Sequence, residues 1–595
     1  MCRIAGIIDK KQSPDILQRK VTFMCNSMQH GGPDDFGVNY DADAAVCLGN
    51  RRLAVLDLTM AGRQPMLNPD STVAISYNGE IYNFKEIRNE LNMLGVLFQT
   101  QTDTEVVLKA YCEWGEKAFE KLNGIFAFAL HDRVRDLVYL VRDPNGVKPL
   151  YFSHQSGKLI FASEVKAFQH ADDFQNDQNR NIYFLAFGHI PEPYTTLKNV
   201  YSLSKGNFLK YNLNTGSYAI SSYYQFKTSS IITNEREAIR LIKHELNASI
   251  KRQLISDTNI GVLFSGGLDS SIIASLASRY TKDKLACISA NFDEIDFSEH
   301  KQRESLLKKM NSREIEQTIT YRDFVQNFDS VLNSMDQPSN DGINTWFVCK
   351  TAKENGLKSV LSGLGADELF GGYPSFDRIH KIQNLNWLSK STIKSTRFLK
   401  NNKYKRLYYL SMDSPIGEYL CLRGVYSPDI IAELLDIDMK TVMNCLEDIP
   451  FAPQVKHLSN EIRASWFEFN MYMQNQLLKD TDFMSMSHGV EVRVPFLDRN
   501  FVNLVFSISN EIKFSYEQKK HLLIEGYKDG LPAETWNRSK MGFTFPFQEW
   551  MRKNKAISAP ELYHNKRAKA LMEKFKDNQL HWSSAFSLYR LYHAS

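Results

Sequence analysis

Residues 259–271 read NIGVLFSGGLDSS. An apolar run ending at Phe264 has the length of a buried strand. It enters the turn Ser265-Gly266-Gly267, and Leu268-Asp269-Ser270-Ser271 opens a helix. Glycines let the backbone turn tightly and approach a ligand, while free N–H groups at a helix start cradle an anion. The serine hydroxyls add donors, and Asp269 offers a hard oxygen to a cation such as Mg²⁺. No Gly-Lys-Ser/Thr follows, so the loop is not a Walker A motif.

Around this unit, strands expected at Leu285–Phe292, Glu314–Thr320 and Lys358–Ser362 alternate with helices near 299–311, 322–333 and 344–355. Such alternation predicts a doubly wound parallel sheet. Beyond about residue 375 the pattern is largely helical. Upstream, residues 1–210 carry short β-type runs such as VAISY (73–77) and LVYLV (137–141), with helical periodicity at Asn83–Leu94 and Asp103–Trp114. The second helix opens TDTE, a capping-box-like start. This half predicts a mixed α/β domain rich in antiparallel sheet. The economical reading is a domain over 2–210, a polar linker over 211–232, and a second domain over 233–595.

The 595 residues are 43% hydrophobic and 24% charged, which excludes a disordered chain. A net charge of +4 gives no electrostatic case for nucleic acid or an anionic membrane. No apolar run reaches the roughly 18 residues of a membrane helix, and no signal-peptide core is present, so a cytoplasmic location is expected. Eight cysteines without zinc-type spacing read as reduced thiols. Cys2 stands apart, because removal of Met1 makes it the first residue. There its own α-amine can accept the thiol proton.

SGGLDSS resembles the pyrophosphate-binding loop of the ATP pyrophosphatases. Ser362–Tyr373 (SGLGADELFGGY) resembles a signature block of the asparagine synthetases. HGGPDDFG (30–37), Arg51-Arg52-Leu53, YNGEIYN (77–83) and TDTE (102–105) resemble class II glutamine amidotransferases. The resemblance covers nearly the whole chain. It implies an α+β N-terminal-nucleophile hydrolase domain followed by a doubly wound ATP-pyrophosphatase domain with a largely helical C-terminal part. It further implies that Cys2 attacks the glutamine amide, with Asn78 and the Gly79 N–H as oxyanion hole. Arg52 would bind the substrate carboxylate, and Glu80 and Asp103, beside Asn78, its α-ammonium. A zwitterionic substrate needs such opposite charges. ATP would contact Leu263, Ser265, Gly266, Gly267, Asp269, Ser270, Ala290, Ser362 and Gly363. Mg²⁺ would sit on Asp269 and Asp367, and Lys540, in RSKMGF (538–543), would stabilise charge on the adenylate.

The implied reaction is glutamine- and ATP-dependent amidation of a carboxylate through an acyl-adenylate, with aspartate as acceptor. Members of this family are often homodimers. The sequence also departs from the family. Leu364 stands where the family places a glutamate thought to take the ammonia proton, and Asp336–Trp346 (DQPSNDGINTW) replaces a DEP-type stretch on the acceptor side. These departures keep open another carboxylate, such as a uronic-acid sugar of a surface polysaccharide pathway. A further alternative is a glutamine- and nucleotide-binding sensor without synthesis. Asn50, Gly31 and Pro144 also differ from the family and read as packing variation.

Overall fold

In the first strand, Arg3–Ile8, successive side chains alternate between two apolar layers. Ala5 and Ile7 pack with Leu17, Val21 and Met24 of helix Pro14–Ser27, while Ile4 and Ile8 turn inward to Ala74, Ala127, Ala129 and Leu140 of a second sheet. On that sheet, Ile75, Tyr77 and Phe128 point outward, onto helices Phe84–Met93 and Asp103–Trp114. A period of two on both sheets thus produces a helix–sheet–sheet–helix stack. Each sheet has six strands, and all of their pairings are antiparallel. The computed structural model describes residues 2–294, 300–385, 387–399, 401–514, 518–537 and 545–593.

The segment expected to be a linker, 211–232, is not one throughout. Asn207–Asn212 and Ser217–Ser222 form a hairpin at the edge of the second sheet. Every residue of Ser217–Ser222 is exposed, so an edge strand carries the polar composition of a loop. Farther on, the N–H groups of Ser229, Ile231 and Ile232 donate to Phe506 and Ser507 carbonyls, fastening the chain to the second domain. The TDTE helix start also differs from a full capping box. Thr102 Oγ1 accepts from the Glu105 N–H at 3.1 Å, but the Glu105 carboxylate turns to the Gln99 and Thr100 N–H groups.

The second domain is built on a parallel sheet ordered Ser312–Ile319, Leu285–Phe292, Ile260–Leu263, Ser359–Leu361, Glu491–Arg493. The first strand in sequence is central, and the order reverses across it. Loops at its C-terminal end therefore open on a topological switch point. The fifth strand, Glu491–Arg493, comes from the part expected to be helical, since three residues are too short to show a period.

A buried ionic seam joins the domains. Arg3 contacts Glu164 at 2.6 Å and Asp482 at 2.9 Å, and Lys148 contacts Asp482 at 2.6 Å. Charges this deep are tolerated only when each finds counter-charge and hydrogen bonds. Among the described residues no helix is long and apolar enough to cross a membrane.

Candidate functional site

The strand alternation that builds the sandwich also assembles the first site. Cys2 continues the parity of Ile4 and Ile8, so it falls in the layer between the sheets. Val46 and Leu48 are inward on the neighbouring strand, which places Asn50 and Arg52 inward as well. Ala74 is inward on Val73–Ile81, which does the same for Asn78 and Glu80. All five side chains are buried. Burial pushes the Cys2 thiol above its ordinary value, and a Leu53 backbone contact and the Arg52 charge oppose the rise.

Asn78 is fully buried, and among the described residues neither its Nδ2 nor its Oδ1 has a hydrogen-bond partner. An unmade pair of this kind costs about 1–3 kcal/mol per group unless a water or a ligand supplies the partner. Gly79 cannot be larger: a Cβ there would lie 2.6 Å from Phe126 Cα and overlap the Ile125 carbonyl. Arg52 is aimed by loop carbonyls, with Nη1 donating to Thr59 O at 2.9 Å and Nη2 to Leu56 O at 3.2 Å. Among the described residues no carboxylate oxygen lies within 4.0 Å of its guanidinium.

The two acids expected together behave differently. Glu80 lies 3.7 Å from Arg493 of the second domain. Burial, then Asp103 and Glu491, raise its pKa well above the usual carboxylate range. Asp103 Oδ2 accepts from the Tyr77 hydroxyl at 2.7 Å and the Ile81 N–H at 2.9 Å, so part of its role is to anchor the strand that carries Asn78. Asn50 is more than packing variation. Its Nδ2 donates to Gln64 Oε1, Ser76 Oγ and Tyr77 O at 3.2–3.3 Å, bracing one sheet against the other beside Asn78.

The second site gathers at the C-terminal ends of the parallel strands. Leu263 ends the central strand, Ala290 lies near the end of one neighbour, and Ser362-Gly363 follows the other. Gly266 takes φ 75°, and Ser265 Oγ meets Ser270 Oγ at 3.1 Å and accepts from the Gly267 N–H at 3.3 Å. A Cβ at Gly363 would lie 3.0 Å from Asp269 Cβ, so the two loops approach as closely as glycine permits. Helix Leu268–Ala277 points its N-terminus into this opening.

Asp269 and Asp367 converge, and sequence reasoning missed what joins them. Lys520 Nζ lies 2.6 Å from Asp269 Oδ2 and 2.5 Å from Asp367 Oδ1. Gly372 makes room, because a Cβ there would overlap Asp367 Oδ1 and stand 2.6 Å from Lys520 Cε. The lysine backbone is held at φ 58°, a left-handed conformation uncommon for a residue with a long side chain. One of two adjacent lysines gives no local signal of such a role. Two carboxylates drawn to one cation are a donor set that fits Mg²⁺ with phosphate oxygens completing its shell. Lys540 and the rest of RSKMGF lie outside the described residues, as does Met1. Leu364, half-buried, packs against the main apolar cluster.

The two sites link through one arginine. Arg493 pairs with Glu491, reaches Glu80, and donates from Nη1 to Gln253 O at 2.7 Å and Ile255 O at 2.8 Å. Its own carbonyl accepts from Ser362 N at 2.8 Å.

A buried layer holding Cys2, Arg52 and Asn78 between two sheets, joined to an open parallel sheet with a glycine loop at its switch point, is the architecture of a two-domain amidotransferase-type enzyme. Comparison with known families agrees: the glutamine amidotransferase domain family matches residues 1–224, and the asparagine synthase family matches residues 241–580. The chain belongs to the asparagine synthase family, whose members use ATP, and is a carbon–nitrogen ligase with a glutamine amidotransferase domain. It is 28% identical over 568 residues to asparagine synthetase [glutamine-hydrolyzing] 1 of Bacillus subtilis strain 168, covering 93% of this chain and 88% of that one. A putative asparagine synthetase [glutamine-hydrolyzing] 2 of Methanocaldococcus jannaschii is 32% identical over 401 residues, 63% of this chain and 76% of its own. Among solved structures, the B. subtilis glutamine phosphoribosylpyrophosphate amidotransferase aligns over 46% of this chain and 63% of its own, at 18% identity and a TM-score of 0.29.

Proposed function

We propose that the protein transfers the amide nitrogen of glutamine to a carboxylate that ATP has activated. In this reading Cys2 Sγ attacks the glutamine amide carbon, and the α-amine freed by loss of Met1 takes the thiol proton. Asn78 Nδ2 and the Gly79 N–H receive the developing oxyanion. Arg52 holds the substrate carboxylate, and Glu80, assisted by Asp103, its ammonium. Collapse of the tetrahedral intermediate, with the proton returned from the α-amine to the leaving nitrogen, releases ammonia and leaves a glutamyl thioester on Cys2, which water hydrolyses to glutamate and the free thiol. The observation that carries the reading is the wholly buried, unpartnered amide of Asn78 in the same layer as Cys2 and Arg52.

In the second site the acceptor carboxylate attacks the α-phosphorus of ATP, and pyrophosphate leaves. The glycine loop (Ser265, Gly266, Gly267, Ser270) would cradle the phosphates, with Leu263, Ala290, Ser362 and Gly363 around the adenosine part. Asp269 and Asp367 would hold Mg²⁺, which supplies charge neutralisation on the phosphates. Lys520, freed from that pair, and Lys540 would add positive charge. Ammonia then attacks the acyl carbon and AMP departs, giving the amide. A carboxylate alone is a poor electrophile, which is why adenylation precedes amidation.

Aspartate is the acceptor that the relatives' names suggest. A second reading, a different carboxylate, is supported by Leu364, which cannot accept a proton and faces apolar neighbours. The test is pyrophosphate release with ATP, Mg²⁺ and ammonium, with and without aspartate. Acceptor-dependent release with amide formed supports the chemistry. A folded protein that binds ATP yet releases no pyrophosphate with any carboxylate refutes it.

A further inference from the structure

Residues 378–412 contain nine lysines and arginines and no aspartate or glutamate. The whole chain carries only +4, so its remainder is net acidic, and the overall balance conceals one strongly basic segment. Packing brings these charges to one surface. Ile379, Ile382, Ile393, Tyr408 and Tyr409 are buried and fix the inward side of the segment. Helices Lys390–Ser395 and Asn402–Lys405 both pack on the 3-10 turn Arg406–Ser411, which sets them side by side. Arg378, from helix Ser375–Gln383, borders the same opening as Lys403.

Few of these cations are neutralised by the protein itself. Lys390 meets Asp413 at 2.6 Å, and Lys405 pairs with Asp429. Asp377, at the edge of the segment, is taken by Lys519 at 2.8 Å. Arg378, Lys381, Lys394, Arg397 and Lys403 are exposed and, among the described residues, have no carboxylate oxygen within 4.0 Å. Large apolar side chains stand among them: Trp387 is 81% exposed, Phe398 75%, Tyr404 54% and Leu399 43%. The Arg397 guanidinium lies 4.6 Å from the centre of the Phe398 ring. Single exposed apolar side chains are ordinary, but a group of them interleaved with unpaired cations marks an interaction surface. A nucleic acid would meet the cations, yet it offers an aliphatic side chain such as Leu399 nothing to stack on. A bilayer meets both needs, because lipid phosphates face the cations and the headgroup boundary accepts aromatic rings.

We infer that residues 378–412 form a docking surface for an anionic lipid bilayer. Arg378, Lys381, Lys394, Arg397 and Lys403 face the lipid phosphates, while Trp387, Phe398, Leu399 and Tyr404 enter the headgroup layer. The segment lies on the membrane without crossing it, in keeping with the absence, among the described residues, of a helix long and apolar enough to span one.

The experiment sediments the full chain with vesicles of phosphatidylcholine alone and of phosphatidylcholine mixed with phosphatidylglycerol. The chain should partition onto the anionic vesicles about tenfold more strongly, and added salt should remove most of that preference as the Debye length shortens. K394E–R397E–K403E should lower binding to the anionic vesicles about tenfold or more. W387A–F398A should lower it several-fold while the salt dependence is kept. Where thermal melting shows the charge reversal unfolded, K394Q–R397Q–K403Q takes its place. No binding, equal binding to both kinds of vesicle, or partition that either variant leaves unmoved overturns the inference. So does a chain that ignores the anionic vesicles and instead binds a single-stranded oligonucleotide through the same lysines.

Discussion

The two sites treat buried charge in opposite ways. In the sandwich, Glu80, Asp103 and Glu491 lie close enough to raise the pKa of Glu80, and Arg493 is the cation that reaches it. In the proposed reading that site waits for a positive charge, which the α-ammonium of bound glutamine would supply. In the parallel-sheet domain, Asp269 and Asp367 already hold a cation, Lys520. There a metal, in the proposed reading, would displace charge rather than bring the first of it. A site of the first kind selects its ligand by what it lacks, and one of the second kind can keep its carboxylates together before the metal arrives.

Four measurements test that contrast. Cys2→Ala should have the largest effect, lowering glutamine-dependent amide formation by about 10⁴-fold or more while the ammonium-dependent reaction survives. If both reactions fall together, the two sites are not separable. Asn78→Ala should lower kcat for glutamine hydrolysis by roughly 10²–10³ with KM little changed, as expected for a donor that acts on the transition state. An equal rise in KM would mean that Asn78 binds ground-state substrate instead.

Lys520→Ala removes the cation that Asp269 and Asp367 share and should lower the Tm measured without metal. Mg²⁺ should raise the Tm of this variant more than that of the wild type, and an equal shift would separate Lys520 from the metal site. The smallest effect concerns pH. Glu80 has a raised pKa in the free enzyme, and a bound ammonium would lower it, so glutamine binding should release a proton. The KM for glutamine should therefore fall several-fold as pH rises above the ordinary carboxylate range, and Glu80→Gln should flatten that dependence. A KM independent of pH in the wild type would place the ammonium elsewhere.

Much of the fold was legible because its signals are local. The strand–glycine loop–helix at 260–277 and the helix at 103–114 stand where their spacing predicts. The edge strand Ser217–Ser222 was not legible, because an exposed strand has no buried face to leave a period of two. Glu491–Arg493 was hidden by its brevity, since its place comes from pairing with Ser359–Leu361 and not from its own composition. Asn50 looked like a neutral replacement, yet its bonds to Ser76 and Tyr77 exist only because two sheets face each other.

The sequence by itself determined the backbone devices: Gly266-Gly267 for the glycine loop, and strand parity that sends Cys2, Arg52, Asn78 and Glu80 to one layer. Only the tertiary structure decided which charges meet. Lys520 reaches Asp269 across 251 positions, and Arg493 lies against Glu80 from another domain. Backbone conformation follows from neighbours a few residues apart, whereas electrostatic energy depends on distance in space, and no local pattern encodes that.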